Sequence, residues 1–145
     1  MTPAEKHGSE FWCRPFTVTK ADGRKFSCHD VGVCIGPKQD KKSTLEFAWG
    51  VFRELAEWVC DKFASAPAGE SFRIIIAWNR SVRPHQGHIF KIWAELENIR
   101  LASECEKYQD YARRFGSSWA PLPNWEKDVF EEKGQQRHAG GVGER

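Results

Sequence analysis

His85 and His88 stand three residues apart beside Arg80 and Arg83, a grouping suited to gripping an anion or exchanging protons with a phosphorylated substrate. A metal site needs three or four ligands, and no cysteine or carboxylate stands at a local ligand spacing from this pair, so no metal is expected. The five cysteines include no Cys-x-x-Cys pair. Cys28 beside His29 would set a nucleophile next to a base, but adjacent strand residues point to opposite faces. Walker, Rossmann, zinc-finger and hydrolase-elbow motifs are absent. The run Ala139-Gly140-Gly141-Val142-Gly143 follows no strand pattern and opens no helix, so it is not a phosphate loop. No catalytic constellation and no cofactor follow from these residues.

Cationic side chains offer a second kind of chemistry. Between Glu70 and Glu95 no acidic residue occurs, while Arg73, Arg80, Arg83 and Lys91 contribute four positive charges. Lys38, Lys41 and Lys42 form another cluster just after Gly36-Pro37. If the strands preceding the two clusters are parallel, their C-terminal ends share one edge of the domain. That edge would carry Lys38, Lys41, Lys42, Arg80, Arg83, His85 and His88, together with two helix N-termini whose free amides favour anions. A phosphate, a nucleic-acid backbone or an acidic protein surface is the expected ligand class. Phe26 among Lys20, Arg24 and Lys25 is a weaker sign of stacking on a charged groove.

The elements that must position these groups read as β-β-α-β-α. A hairpin of Glu10–Lys20 and Arg24–Gly36 is centred on Asp22-Gly23, a two-residue turn signal. That turn sets Trp12 opposite Val33, Phe16 opposite His29 and Val18 opposite Ser27. Trp12, Phe16, Val18, Val31, Val33 and Ile35 then share one face, and Cys13, Cys28 and Cys34 the other. His29 falls on the apolar face as a core histidine, and Pro15 argues for an edge strand or a bulge. Ser43-Thr44-Leu45-Glu46 reads as a capping box opening a helix to about Ala64. Gly50 inside it costs about 1 kcal/mol relative to Ala, which a close helix–sheet approach would offset. Ser71–Asn79 reads as an interior strand buried on both faces. Pro84 opens a second helix whose stripe runs from Ile89 through Ile99 and Tyr111 to Phe115, although His88–Glu97 also fits a strand.

The fold class is therefore a small α+β domain over residues 10–116, with both helices on one face of the sheet. Residues 1–9 read as a flexible leader. Residues 117–133 form an irregular aromatic tail, in which Trp119 and Trp125 either dock on the domain or anchor a partner. Residues 134–145 read as disordered.

At 145 residues the chain can bury roughly 70% of its unfolded surface without disulfide or metal. Hydrophobic residues at 40% and charged residues at 29% exclude a disordered or collagen-like chain, and a net charge of +2 names no partner. Seven Trp and ten Phe against one Met supply enough aromatic surface for a core, a recognition face or both. No apolar run approaches the ~18 residues of a membrane span, and the polar start lacks a secretory signal. An odd number of cysteines then reads as reduced thiols in a cytoplasmic protein. The combined reading is a non-catalytic intracellular binding protein, of the inhibitor or accessory type that phages and mobile elements encode, occupying a protein or nucleoprotein surface. Direct nucleic-acid binding through the basic edge is the alternative, and an enzyme using His85 or His88 on a phosphorylated or nucleotide substrate is the third reading.

Overall fold

A computed structural model describes residues 10–36, 38–78 and 88–115. The leader, the tail with Trp119 and Trp125, and Arg80, Arg83 and His85 lie outside the described residues. Four strands form one mixed sheet in the order β1-β2-β3-β4: β1 Glu10–Thr19, β2 Lys25–Ile35, β3 Ser71–Trp78 and β4 His88–Glu95. Helix α1 spans Lys41–Lys62, α2 Leu96–Ser103 and α3 Tyr108–Phe115. The β1–β2 and β3–β4 pairs are antiparallel, and β2 runs parallel to β3. The domain is α+β, as the sequence implies.

The hairpin turn differs by one residue from the two-residue reading. Lys20 N–H donates to Arg24 O at 2.8 Å and Gly23 N–H to Lys20 O at 2.9 Å, which closes a three-residue loop of Ala21, Asp22 and Gly23. Gly23 takes φ +87°, the left-handed position such a loop requires at its third residue. The register slides accordingly: Trp12 faces Gly32, Phe16 faces Cys28 and Val18 faces Phe26. A slip of one residue exchanges faces along a strand. Trp12, Phe16 and Val18 therefore lie on the side opposite Val31, Val33 and Ile35, and Cys13 parts from Cys28 and Cys34. Pro15 does lie on an edge strand, where a missing N–H is tolerated.

Residues 88–95 are a strand rather than the start of a helix. An interior β3 needs its second row of backbone groups paired, and Ile89-Phe90-Lys91-Ile92-Trp93 has the β-branched and aromatic content to do so. The helical stripe resumes only at Leu96, and Glu104–Lys107 divides it into α2 and α3. Helix α1 starts three residues earlier than the capping box suggested. Asp40 is its N-cap, its carboxylate accepting from Ser43 N–H at 2.7 Å, while Thr44 Oγ1 donates to Asp40 O at 2.8 Å.

All of the helical packing falls on one face. Val31, Val33, Phe72, Ile74, Ile76, Phe90 and Ile92 meet Ala48, Trp49, Phe52, Leu55, Ala56 and Val59 of α1 and Ile99 and Ala102 of α2. Trp49 stacks on Phe52 at 4.8 Å, meets Phe90 edge-on at 5.4 Å, and donates its indole N–H to Cys105 O at 2.9 Å, tying α1 to the segment before α3.

Two glycines test this arrangement in opposite directions. Nothing lies within 4 Å of a Cβ added at Gly50, so the helix–sheet approach inferred for it is absent. A Cβ at Gly32 would overlap the Trp12 indole lying across it. We expect Gly50→Ala to raise the unfolding free energy by about 0.8–1 kcal/mol, and Gly32→Ala to lower it by about 1–3 kcal/mol. Urea titrations of both variants check the pair.

Candidate functional site

The expected basic edge forms in part. The parallel pairing sets Ile35 at the end of β2 beside Trp78 at the end of β3, with Lys38, Lys41 and Lys42 following β2. Lys41 and Lys42 belong to the first turn of α1 rather than to a loop. They border a cavity of about 770 Å³ over Trp49 and Tyr108, but Glu46 and Asp110 line it too, so its charge is mixed. Lys38 Nζ sits 4.0 Å over the Phe47 ring. His88 opens β4 opposite Ala77, not a helix.

The cysteines carry no disulfide among the described residues, and no group of three metal-ligating side chains occurs there. Burial, with a hydrogen bond to Glu10 and that residue's charge, pushes the Cys34 thiol up to about 12. It is a packed thiol, not a nucleophile. His29 lies on the helix side as expected, its Nδ1 2.8 Å from Glu70 Oε2 and its ring stacked on Phe72.

The face turned away from the helices is where chemistry gathers. The registers fix it as rows across the strands. Glu10, Cys34, Ala77 and His88 form one row, and Trp12, Gly32, Ile75 and Lys91 the next. Arg14, Asp30, Arg73 and Trp93 follow, then Phe16, Cys28, Ser71 and Glu95. Val18 and Phe26 complete the hairpin end. Trp12, Arg14, Asp30, Arg73, Ile75, His88 and Lys91 line a depression of about 270 Å³.

At its centre Asp30 is only 3% exposed and is bridged from both sides. Arg14 Nη2 lies 3.5 Å from Asp30 Oδ2, Arg73 Nη2 3.2 Å from the same oxygen, and Arg73 Nε donates to Oδ1 at 3.2 Å. Burial pushes the Asp30 carboxyl up. The hydrogen bond and charge of Arg73, the Trp12 indole N–H and the charge of Arg14 together outweigh burial and hold it below its usual value.

Fixed by that bridge, the Arg73 guanidinium lies 4.6 Å from the Phe16 ring centroid and 6.0 Å from Trp93. Trp93 is 6.0 Å from Phe16 and 6.5 Å from Phe26. Lys20 Nζ sits 5.1 Å over Phe26. Among the described residues Trp93 is the large hydrophobic side chain left exposed, at 44%.

Sequence reasoning missed this constellation. It placed Trp12 and Phe16 on the core face, set Trp93 within the segment read as helix, and read Arg73 only as one charge among four. The available signal was Gly32: in the correct register it provides the flat floor that Trp12 needs. Among the described residues no helix is long and apolar enough to cross a membrane. No family model matches the chain, and neither curated proteins nor solved structures show one that is similar to it.

Because the Asp30 carboxyl is held below its ordinary value of 3.8, its ion pairs contribute their full stability above that pH. The contribution is lost as pH falls through the lowered value. Asp30→Asn should lower the unfolding free energy at neutral pH by about 1.5–3 kcal/mol. The wild-type advantage over the variant should narrow below pH 4, read from urea titrations across pH 7 to 3.

Proposed function

We propose that this protein is a non-catalytic binding protein that holds its partner on the helix-free face of the sheet. The observation behind this reading is the content of that face. Exposed Trp93 with Phe16 and Phe26 stands beside Arg14, Arg73 and Lys91, while among the described residues the helices pack on the opposite side. Aromatic anchors flanked by arginines have the composition of an interaction hot spot. The partner is anionic where it meets the depression and presents flat apolar groups to the rings. Occupation of a protein or nucleoprotein surface, with an inhibitory or accessory effect, is the activity that suits such a face.

The test is affinity purification of the tagged full chain from its host, with bound material identified by mass spectrometry. Trp93→Ala and Lys91→Glu should each lose at least 80–90% of what the wild type retains, the loss a hot-spot truncation of about 1–2 kcal/mol produces. Glu57→Lys, on an exposed turn of α1, should retain all of it. Equal recovery with all three variants, at unchanged circular dichroism, would place the contact elsewhere.

A further inference from the structure

Resting on the assignment of the helix-free face as the contact surface, we infer that its occupant is a single-stranded nucleic acid. Its bases lie on Trp93 and the neighbouring rings, and its phosphates lie over Arg14, Arg73 and Lys91.

Charge supplies the first argument. The depression holds three permanent cations, Arg14, Arg73 and Lys91, against the single carboxylate of Asp30. That carboxylate is buried beneath the arginines that bind it, so the depression itself presents cations outward, with Glu10 and Glu95 in the rows that flank it. Arg14 remains 65% exposed at its side chain although it is paired, so its outer N–H groups are available to a second anion.

The rings supply the second argument. An acidic protein surface would satisfy the cations, whereas a nucleic acid offers both phosphates for the cations and flat bases for the exposed indole. Bases have a π-face irrespective of sequence, and aromatic side chains on a sheet are the usual platform for unpaired ones. Trp93 packs near Phe16 and Phe26, with 44% of the residue left to solvent. Lys20 over Phe26 and Arg73 over Phe16 set a cation against each remaining ring, alternating base-stacking and phosphate-contacting groups along the face.

Geometry supplies the third. Adjacent strands lie ~4.8 Å apart, so four strands span roughly 14 Å, room for a few nucleotides of a splayed single strand. A duplex keeps its bases stacked on each other and cannot offer a face to Trp93. The reading therefore separates single strands from duplex, as charge alone would not.

The experiment is fluorescence anisotropy of the full-length protein with labelled eight-nucleotide oligo(dT) and oligo(U) and a mixed-sequence duplex, at ~50 and ~200 mM salt. The single strands should bind at least tenfold tighter than the duplex. With about three phosphate contacts, their affinity should fall roughly 15- to 20-fold across that salt range. Trp93→Ala should weaken binding about 10- to 100-fold and Trp93→Phe much less, since a ring remains to stack. Lys91→Glu should weaken binding and flatten the salt dependence.

Absence of single-strand binding at the lower salt would overturn the inference. So would equal affinity for duplex, or binding that Trp93→Ala leaves unchanged at native circular dichroism. Affinity purification repeated after nuclease treatment separates the two levels. Retained material that still depends on Trp93 would keep the face as the contact surface while making its occupant a protein. Material that ignores Trp93 would remove the face as well.

Discussion

A carboxylate with almost no solvent contact can stay ionised only if its charge is met where it lies. Asp30 occupies that position at the middle of the sheet, and its two counterions come from the strands on either side of it, Arg14 on β1 and Arg73 on β3. One interaction thus links three strands and neutralises the interior of the helix-free face. It also orients Arg73: with Nε and Nη2 both engaged by the carboxylate, the guanidinium plane has little freedom, and it comes to rest against Phe16. The Phe16, Arg73 and Trp93 assembly follows from a charge that had to be satisfied beneath it.

The two faces of the sheet differ in kind. Val31, Val33, Ile74, Ile76 and Ile92 alternate with Asp30, Gly32, Arg73, Ile75, Lys91 and Trp93, so the same strands give an aliphatic layer to the helices and a polar-aromatic layer to the other side. The parallel β2–β3 pair forces the connecting helix to cross one side of the sheet, and the wide apolar stripe of α1 decides which side. Among the described residues Cys34, Ile75 and Ala77 form a small second cluster under Trp12 on the other side.

Much of the architecture was readable in the sequence because it rests on local chemistry. The stripe from Ala48 to Val59 predicts a long helix with one buried side, and the run Ile74-Ile75-Ile76 predicts an interior strand. Both depend on periodicity, which is local. The face assignment was not readable for the opposite reason. Asp22-Gly23 suits a two-residue turn and also the last two positions of a three-residue loop, and only the pairing of distant residues separates them. Choosing between them reverses the side on which Trp12 and Phe16 lie. Residues 88–95 present the same limit: their apolar positions satisfy a helix in phase with Ile99, and the need to pair the free edge of β3 decides for a strand. The site was missed because its β1 residues depend on the first of these non-local choices and its β4 residues on the second.

The groups at the centre of this face are held in single states. Catalysis needs a group able to change protonation or attack near neutral pH. On this face Asp30 is held ionised well below that range, and the Cys28 and Cys34 thiols are pushed upward by burial, so these groups keep one state, with His88 an imidazole beside them in the same depression. Fixed charge and fixed rings are what recognition requires instead. Side chains already immobilised by neighbours lose little further freedom when a ligand arrives, so more of the contact energy survives as affinity. Arg73 clamped by Asp30 and Trp12 laid on Gly32 have each given up that freedom during folding. Leaving Trp93 44% exposed forgoes some hydrophobic stabilisation, and a partner that covers the ring recovers it.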